Sequence, residues 1–225
     1  MSSRRKRARR SAAKAKAKAE QRRESEAVDY GDFVEHPRYG RRPRITGSNP
    51  VQNRPESGDP WVKFHWLSSR ESRIPNTAIE ADISKQTITT MGVTHYFDEL
   101  RTCQDCDAPF IFFAAEQKHW YEDLGFSLEA NCIHCIHCRK KRQAIARMRE
   151  RYEQLFHVST PSDAERLEMA ECCLGLVEAG VFSPRKTEHV RALLGRVSGD
   201  SARSLTRRLL AVEASSGAGS ESEPR

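Results

Sequence analysis

Two short stretches, Cys103-Gln104-Asp105-Cys106 and Cys135-Ile136-His137-Cys138, decide how this chain folds. Each is a Cys-x-x-Cys pair, and twenty-eight residues separate them. Two intervening residues make a tight knuckle, so both sulfurs of a pair can reach one ion at about 2.3 Å. Four thiolates then close a tetrahedral zinc site. Unliganded thiols are the plainer reading, and the paired spacing argues against it. A catalytic zinc keeps one position open for water, whereas four cysteines leave none.

The residues around the knuckles read as short strands. Val93-Thr-His95-Tyr96-Phe97 leads toward the first pair, and Phe110-Ile-Phe112-Phe113 follows it, apolar on both faces. Asp107-Ala-Pro109 between them reads as a turn. The order is strand, knuckle, strand, return, second knuckle. A core this small cannot hold itself, and metal binding supplies on the order of 10 kcal/mol of folding energy in small zinc peptides. The second knuckle has two possible registers, because the tract is Cys132-Ile-His-Cys135-Ile-His-Cys138. Either Cys132/Cys135 or Cys135/Cys138 makes a legal pair, so Cys132 stands as an alternate ligand. His134 and His137 lie inside the knuckles, where the loop turns side chains away.

Several of these residues together resemble a known family. Cys103-x-x-Cys106-x-x-Pro109-Phe110-Ile-Phe-Phe113-Ala-Ala-Glu116-Gln117, then Trp120-Tyr121-Glu122-x-x-Gly125-Phe126, then Cys135-x-x-Cys138-Arg139-Lys140 is similar to the probable zinc-ribbon domain of largely uncharacterised bacterial proteins. The resemblance spans residues 96–142. It implies zinc on Cys103, Cys106, Cys135 and Cys138, and no known catalysis. Its Cys-x-x-Cys-Arg-Lys context favours Cys135/Cys138 as the second pair. Two departures stand out. Asp107 occupies a position where such knuckles often carry Gly, and Cys132 is an extra cysteine.

Glu116-Gln117-Lys-His119-Trp120-Tyr121 reads as one or two helical turns. His119 and Glu116 sit three apart, and a solvated turn is preferred over a catalytic pair, since no nucleophile accompanies them.

Outward from this module, charge is unevenly placed. Residues 1–23 hold eleven Lys and Arg against Glu20, a net of +10. The whole chain is +7, so the other 202 residues sum to −3. Arg4, Arg5, Lys6, Arg7, Arg9 and Arg10 open this arm, and an Ala/Lys alternation continues it. Such a block repels itself, and residues 1–28 read as a disordered basic arm for DNA, RNA or an acidic protein partner, with salt-sensitive affinity. Charged residues make up 31% of the chain and hydrophobic ones 37%. That balance is too polar for one core over the whole length. No apolar run approaches twenty residues, which argues against a membrane span. The basic start has no apolar stretch behind it, as a signal peptide requires. A cytoplasmic protein, with nucleoid association as an option, is the expectation. Its seven cysteines then read as thiols or metal ligands rather than disulfides.

Residues 29–92 read as an extended Pro/Gly-rich strap with one short strand at Trp61-Val-Lys-Phe64-His-Trp66, whose Val62, Phe64 and Trp66 share a face. Tyr30, Phe33, Tyr39 and Ile45 are isolated apolar residues suited to lying along the protein's own domain. Arg38, Arg41, Arg42 and Arg44 around Tyr39 suit base stacking as the lesser reading.

The zinc ribbon is assigned to 93–142, and a helical region to 143–213. Ile145, Met148, Tyr152, Leu155 and Phe156 fall on one helix face, with Arg147, Arg149 and Arg151 opposite. Arg139, Lys140, Lys141 and Arg142 open that helix, either balancing thiolate charge or contacting nucleic acid. Thr160 reads as an N-cap with Pro161 at the first helical position, and Ser162-x-x-Glu165 as a capping box. Leu167, Ala170, Leu174 and Val177 make the next stripe, then Val190, Leu193, Leu194 and Val197. Asp200 caps a last helix carrying Leu205, Leu209 and Val212. Of Cys172 and Cys173, at least one is expected to be a buried thiol. Residues 214–225 read as a disordered tail.

The fold class is therefore α+β, a small zinc ribbon followed by a helical part. A noncatalytic zinc-binding protein whose ribbon supports nucleic-acid binding is the leading functional expectation. A protein-interaction adaptor using the helical region is the alternative, with a zinc-thiolate redox switch at Cys132 as a lesser option. A His-Asn-His nuclease needs an Asp-His pair that the stretch between the knuckles lacks. Enzyme activity and a small-molecule substrate are therefore not expected.

Overall fold

The computed structural model describes residues 28–52, 61–87 and 92–217. The basic residues Arg4, Arg5, Lys6, Arg7, Arg9 and Arg10, and the tail from 218 on, lie outside the described residues. The chain divides into two compact units, 1–138 and 139–225. The architecture is α+β, with short antiparallel strands preceding the long helices.

The first unit is built around one hairpin. Strand β3 (Glu99–Thr102) pairs antiparallel with β4 (Pro109–Phe112), Leu100 opposite Ile111 and Arg101 opposite Phe110. Strand side chains alternate between faces, and β4 is apolar on both. Phe110 and Phe112 turn to one cluster with Cys103, Cys132 and Cys135. Ile111 and Phe113 turn to another with Tyr30 and Ile74. The strap supplies that second cluster. Val34 pairs in parallel with Phe110, and its N–H donates to the Pro109 carbonyl at 2.8 Å. Tyr39 stacks on His36 and leans on Phe113. Arg38 and Arg44 lie over its ring, so the strap's aromatic face is covered by its own neighbours. Ile45 is exposed.

A second small sheet joins β1 (Ile79–Glu80) to β2 (His95–Tyr96). The strand expected over 93–97 is thus shorter and pairs elsewhere, and β3 is the strand that enters the first knuckle. The Trp61–Trp66 stretch forms no strand. Lys63 exchanges bonds with Thr94 there. Phe64 is buried, but Trp66 is 53% exposed. His65 takes the inward position instead, stacking on Tyr121 and bonding the Leu128 carbonyl.

Asp98, just before β3, ties three segments together. Its carboxylate accepts from the Arg44 N–H and the Ala114 N–H, each at 2.7 Å, and its own N–H donates to Thr77 Oγ1. The side chain is only 1% exposed. Burial pushes its carboxyl up to about 6, against the two N–H donors that pull it down. A group that binds its proton more tightly when folded stabilises the fold at low pH and loses that contribution as pH rises. The chain's three tryptophans all lie in this unit. Tryptophan-monitored unfolding should therefore show stability falling between about pH 4 and pH 6 by on the order of 2–3 kcal/mol. That slope should vanish in Asp98→Asn.

The second unit is helical. Helix α2 (Ile136–Phe156) begins in the first unit and runs on into it. Then come α3 (Asp163–Glu178), a 3-10 turn (Pro184–Lys186), α4 (Thr187–Leu194) and α5 (Asp200–Gly217). The cap of α3 is Ser162 rather than Thr160. Its hydroxyl accepts from the Glu165 N–H, and the Glu165 carboxylate accepts from the Ser162 N–H at 2.7 Å. The helix closes on Gly180, whose φ of 70° suits a residue without Cβ. Asp200 is the first residue of α5, and that helix extends past 213 to Gly217, four residues into the expected tail.

Helix α3 is not one-sided as its stripe implied. Met169, Ala170, Cys172, Cys173, Leu174, Leu176 and Val177 are all buried, so most of its circumference is inside. A helix apolar on most sides belongs in the middle of a bundle. Tyr152, Leu155, Val190, Leu194, Leu205 and Leu209 pack with it. Phe156 leaves that group and is 55% exposed. Both adjacent thiols are inside, and burial pushes Cys173 up to about 11. Leu174 is fully buried. Leu174→Ala should cost about 2–5 kcal/mol, read by denaturant unfolding followed through helical circular dichroism.

Candidate metal centre

The strand alternation that sends Glu99 and Arg101 to one side of β3 carries Cys103 inward at its end. The chain then turns sharply: the Asp107 N–H donates to the Cys103 carbonyl at 2.9 Å, and the Cys103 N–H to the Ala108 carbonyl at 3.0 Å. After β4, helix α1 (Ala114–Lys118) continues as a π-helical turn (His119–Asp123). The chain then returns to Cys135, the residue before α2, and Cys138 is that helix's third residue. The second pair therefore opens a helix, where the sequence order suggested a simple knuckle before a helix starting near 143.

These elements bring four sulfurs together. The Sγ atoms of Cys103, Cys106, Cys135 and Cys138 lie within 4.8 Å of one another. Cys103 and Cys135 are buried, Cys138 is half-buried and Cys106 is exposed. The Cys106 and Cys135 sulfurs are 3.9 Å apart. Four sulfurs at about 2.3 Å from a common ion stand roughly 3.8 Å from each other, so the donor set fits one tetrahedral cation. Cys132 is outside this group. It is buried, and its Sγ faces the His134 carbonyl at 3.6 Å. His134 Nδ1 is 3.4 Å from the Asp105 carboxylate, and His137 is exposed.

The protons of the four thiols are unequally held. Burial pushes Cys103 up, but the backbone N–H groups of Cys135, Asp105 and Cys106 outweigh it and bring the thiol down to about 6. The Ala108 N–H pulls Cys106 down, while the Cys103 sulfur, burial and the Cys135 sulfur together outweigh it and leave it raised. Burial, then the three neighbouring sulfurs, pushes Cys138 well above the ordinary thiol range. Four sulfurs this close cannot all ionise alone, and a divalent cation removes the conflict.

A polar brace holds the return loop in place. Arg101 donates to buried Glu99 twice, at 3.1 and 2.6 Å. It also reaches Asn131 and the Cys132 carbonyl, and its guanidinium lies over Phe112. The Gln104 N–H donates to the Ile133 carbonyl at 3.0 Å. Sequence reasoning passed over Glu99 and Arg101, although charges two apart inside an apolar hairpin are a readable signal. It also placed Glu116 on a solvated turn. Glu116 is buried and pairs with His36 Nε2 at 3.3 Å, while His119 pairs with Asp123 at 2.9 Å. Neighbouring Gln117 is inside too, donating to the Phe97 and Phe112 carbonyls.

Residues 97–147 match the family model described as a probable treble clef domain. This segment is a treble clef zinc-finger-like domain. The match overlaps the 96–142 stretch that resembles the zinc ribbon, and it extends into helix α2, which begins at the second cysteine pair. No curated protein and no solved structure matches the chain. Of the expected nucleic-acid contacts, Arg139 is half-buried, and Lys140, Lys141 and Arg142 are exposed on the start of α2. Arg149 and Arg151 are tied to Glu153 and Glu168.

Asp107 adopts a φ of +56°. That left-handed conformation favours Gly and tolerates Asp or Asn, which accounts for the departure from the glycine common in such knuckles. Asp107→Gly should leave thermal stability unchanged or raise it by up to about 1 kcal/mol, whereas Asp107→Val should lower it by about 1–3 kcal/mol.

Proposed function

We propose that the treble clef domain holds one Zn(II) on Cys103, Cys106, Cys135 and Cys138, and that the ion is structural. The observation that carries this reading is the closed set of four sulfurs around one point. All-thiolate tetrahedral donors suit zinc, and they leave no position for an activated water. The ion supplies folding energy, and the protein is noncatalytic.

The domain serves a nucleic-acid-binding protein. Its helix α2 carries no acidic residue in its first turn, and Lys140, Lys141 and Arg142 are exposed on the next. With the net +10 of residues 1–23, these supply phosphate contacts without base readout. A protein-interaction role is the second reading. Phe156 and Leu210 support it, as large apolar side chains more than half exposed on the helical unit.

Two measurements test the proposal on the full chain. Metal analysis should find one zinc per molecule, lost in Cys103→Ser and Cys138→Ser and retained in Cys132→Ser. Retention in Cys138→Ser with loss in Cys132→Ser would move the site to the other register. Binding to duplex DNA and to RNA should weaken with salt. Replacing Lys140, Lys141 and Arg142 together by Ala should lower the DNA salt slope by about 2–3, at roughly 0.9 per phosphate contact. A slope unchanged by that triple substitution, but abolished by neutralising residues 4–10, would leave the folded domain without a role in binding.

A further inference from the structure

The first unit contains a cavity of about 380 Å³ that lies apart from the four cysteines. Its floor is aromatic: Phe64 and Phe97 are buried and meet edge to face at 5.1 Å. Pro75 extends the apolar wall, and Asn49, Gln52 and Arg70 are exposed at the rim. Arg73 lies across the floor, its guanidinium 4.5 Å from the Phe64 ring centre and 5.6 Å from that of Phe97.

The state of Arg73 is unusual. Its Nη1 is buried and has no hydrogen-bond partner, and among the described residues no carboxylate lies within ion-pair distance of it. Glu99 and Glu71 act on it only through space, and Glu99 is already held by Arg101. Stacking on two aromatic faces offsets part of a guanidinium's desolvation. It supplies no acceptor for the N–H, and a buried donor without a hydrogen bond is costly. The cavity lining contains two arginines and no acid. Its size falls within the range of about 300–1,000 Å³ usual for small-molecule sites, which combine apolar walls with a few fixed polar groups.

We propose that this cavity binds a small organic anion, a carboxylate or phosphate carried on a flat apolar body. The body lies against Phe64, Phe97 and Pro75. The anionic head accepts from Arg73 and Arg70, and the amides of Asn49 and Gln52 orient the rim. Nothing in this binding requires the metal centre or a nucleic acid.

Calorimetric titration of the full chain with benzoate, phenyl phosphate and neutral benzamide tests this at millimolar concentrations. At least one of the two anions should bind saturably at one site per chain, and benzamide at least tenfold more weakly. The better anion identifies the headgroup. Arg73→Gln should weaken binding at least tenfold, and Arg70→Gln should weaken it by a smaller factor. If Arg73→Gln does not fold, the comparison of anion with benzamide on the unaltered chain, together with Arg70→Gln, decides the matter. Benzamide binding as tightly as benzoate overturns the proposal. So does anion binding that survives in folded Arg73→Gln, or no saturable binding by any of the three. Inorganic phosphate binding as tightly as phenyl phosphate also overturns it, because the apolar body would then contribute nothing.

Discussion

Four sulfur atoms that must share one small volume are the constraint on which the first unit depends. The strands that bring them together are four residues long, and a two-stranded hairpin of that length is marginal on its own in water. The apolar clusters around it are small and separate. Joining the end of a hairpin to the start of a helix at one point fixes the twenty-eight-residue return between them, whose own packing rests on Trp120, Tyr121 and Leu128. Metal binding and folding are therefore one equilibrium in such a domain.

Strand β4 explains how so little chain yields two clusters. A strand with polar residues on one side would serve either the cysteines or the strap. Pro109-Phe-Ile-Phe serves both, because alternate side chains leave in opposite directions. The polar cost of bringing a strap across this hairpin falls on a few groups. Asp98, Gln117 and the Glu99–Arg101 pair occupy buried positions and each answers backbone donors, acceptors or a partner charge. These groups do what longer strands would do in a larger sheet, which is to satisfy the main chain where water is excluded.

The legible parts of the fold were those set by local chemistry. The cysteine spacing, the doubly apolar β4 and the Ser162/Glu165 box each depend on residues a few positions apart, and the structure contains all of them. The helical stripes were legible too, though α3 is buried more widely than its pattern, because partners on several sides use faces that periodicity alone assigns to solvent. The Trp61–Trp66 alternation failed for a tertiary reason. A strand needs a neighbour along its length, and here Thr94 meets the stretch at Lys63, while His65 turns inward to Tyr121 and Trp66 turns outward. Glu116 was misread because its partner, His36, lies eighty residues earlier, and no short-range pattern reports such a pairing. Asp107 was noticed as a departure, but only its backbone angle shows why aspartate is tolerated there.

The parallel bridge from Val34 to Phe110 has a consequence for the molecule's solution behaviour. One side of β4 is paired with β3, and the other would present unpaired backbone beside four consecutive buried apolar side chains, Phe110 to Phe113. An open edge of that composition is a template for adding strands from other molecules. The strap occupies it with a segment that bends away at once into the His36–Gly40 turn, too short for a further strand to follow. The proline- and glycine-rich strap thus closes the edge of the hairpin along which a further strand would add.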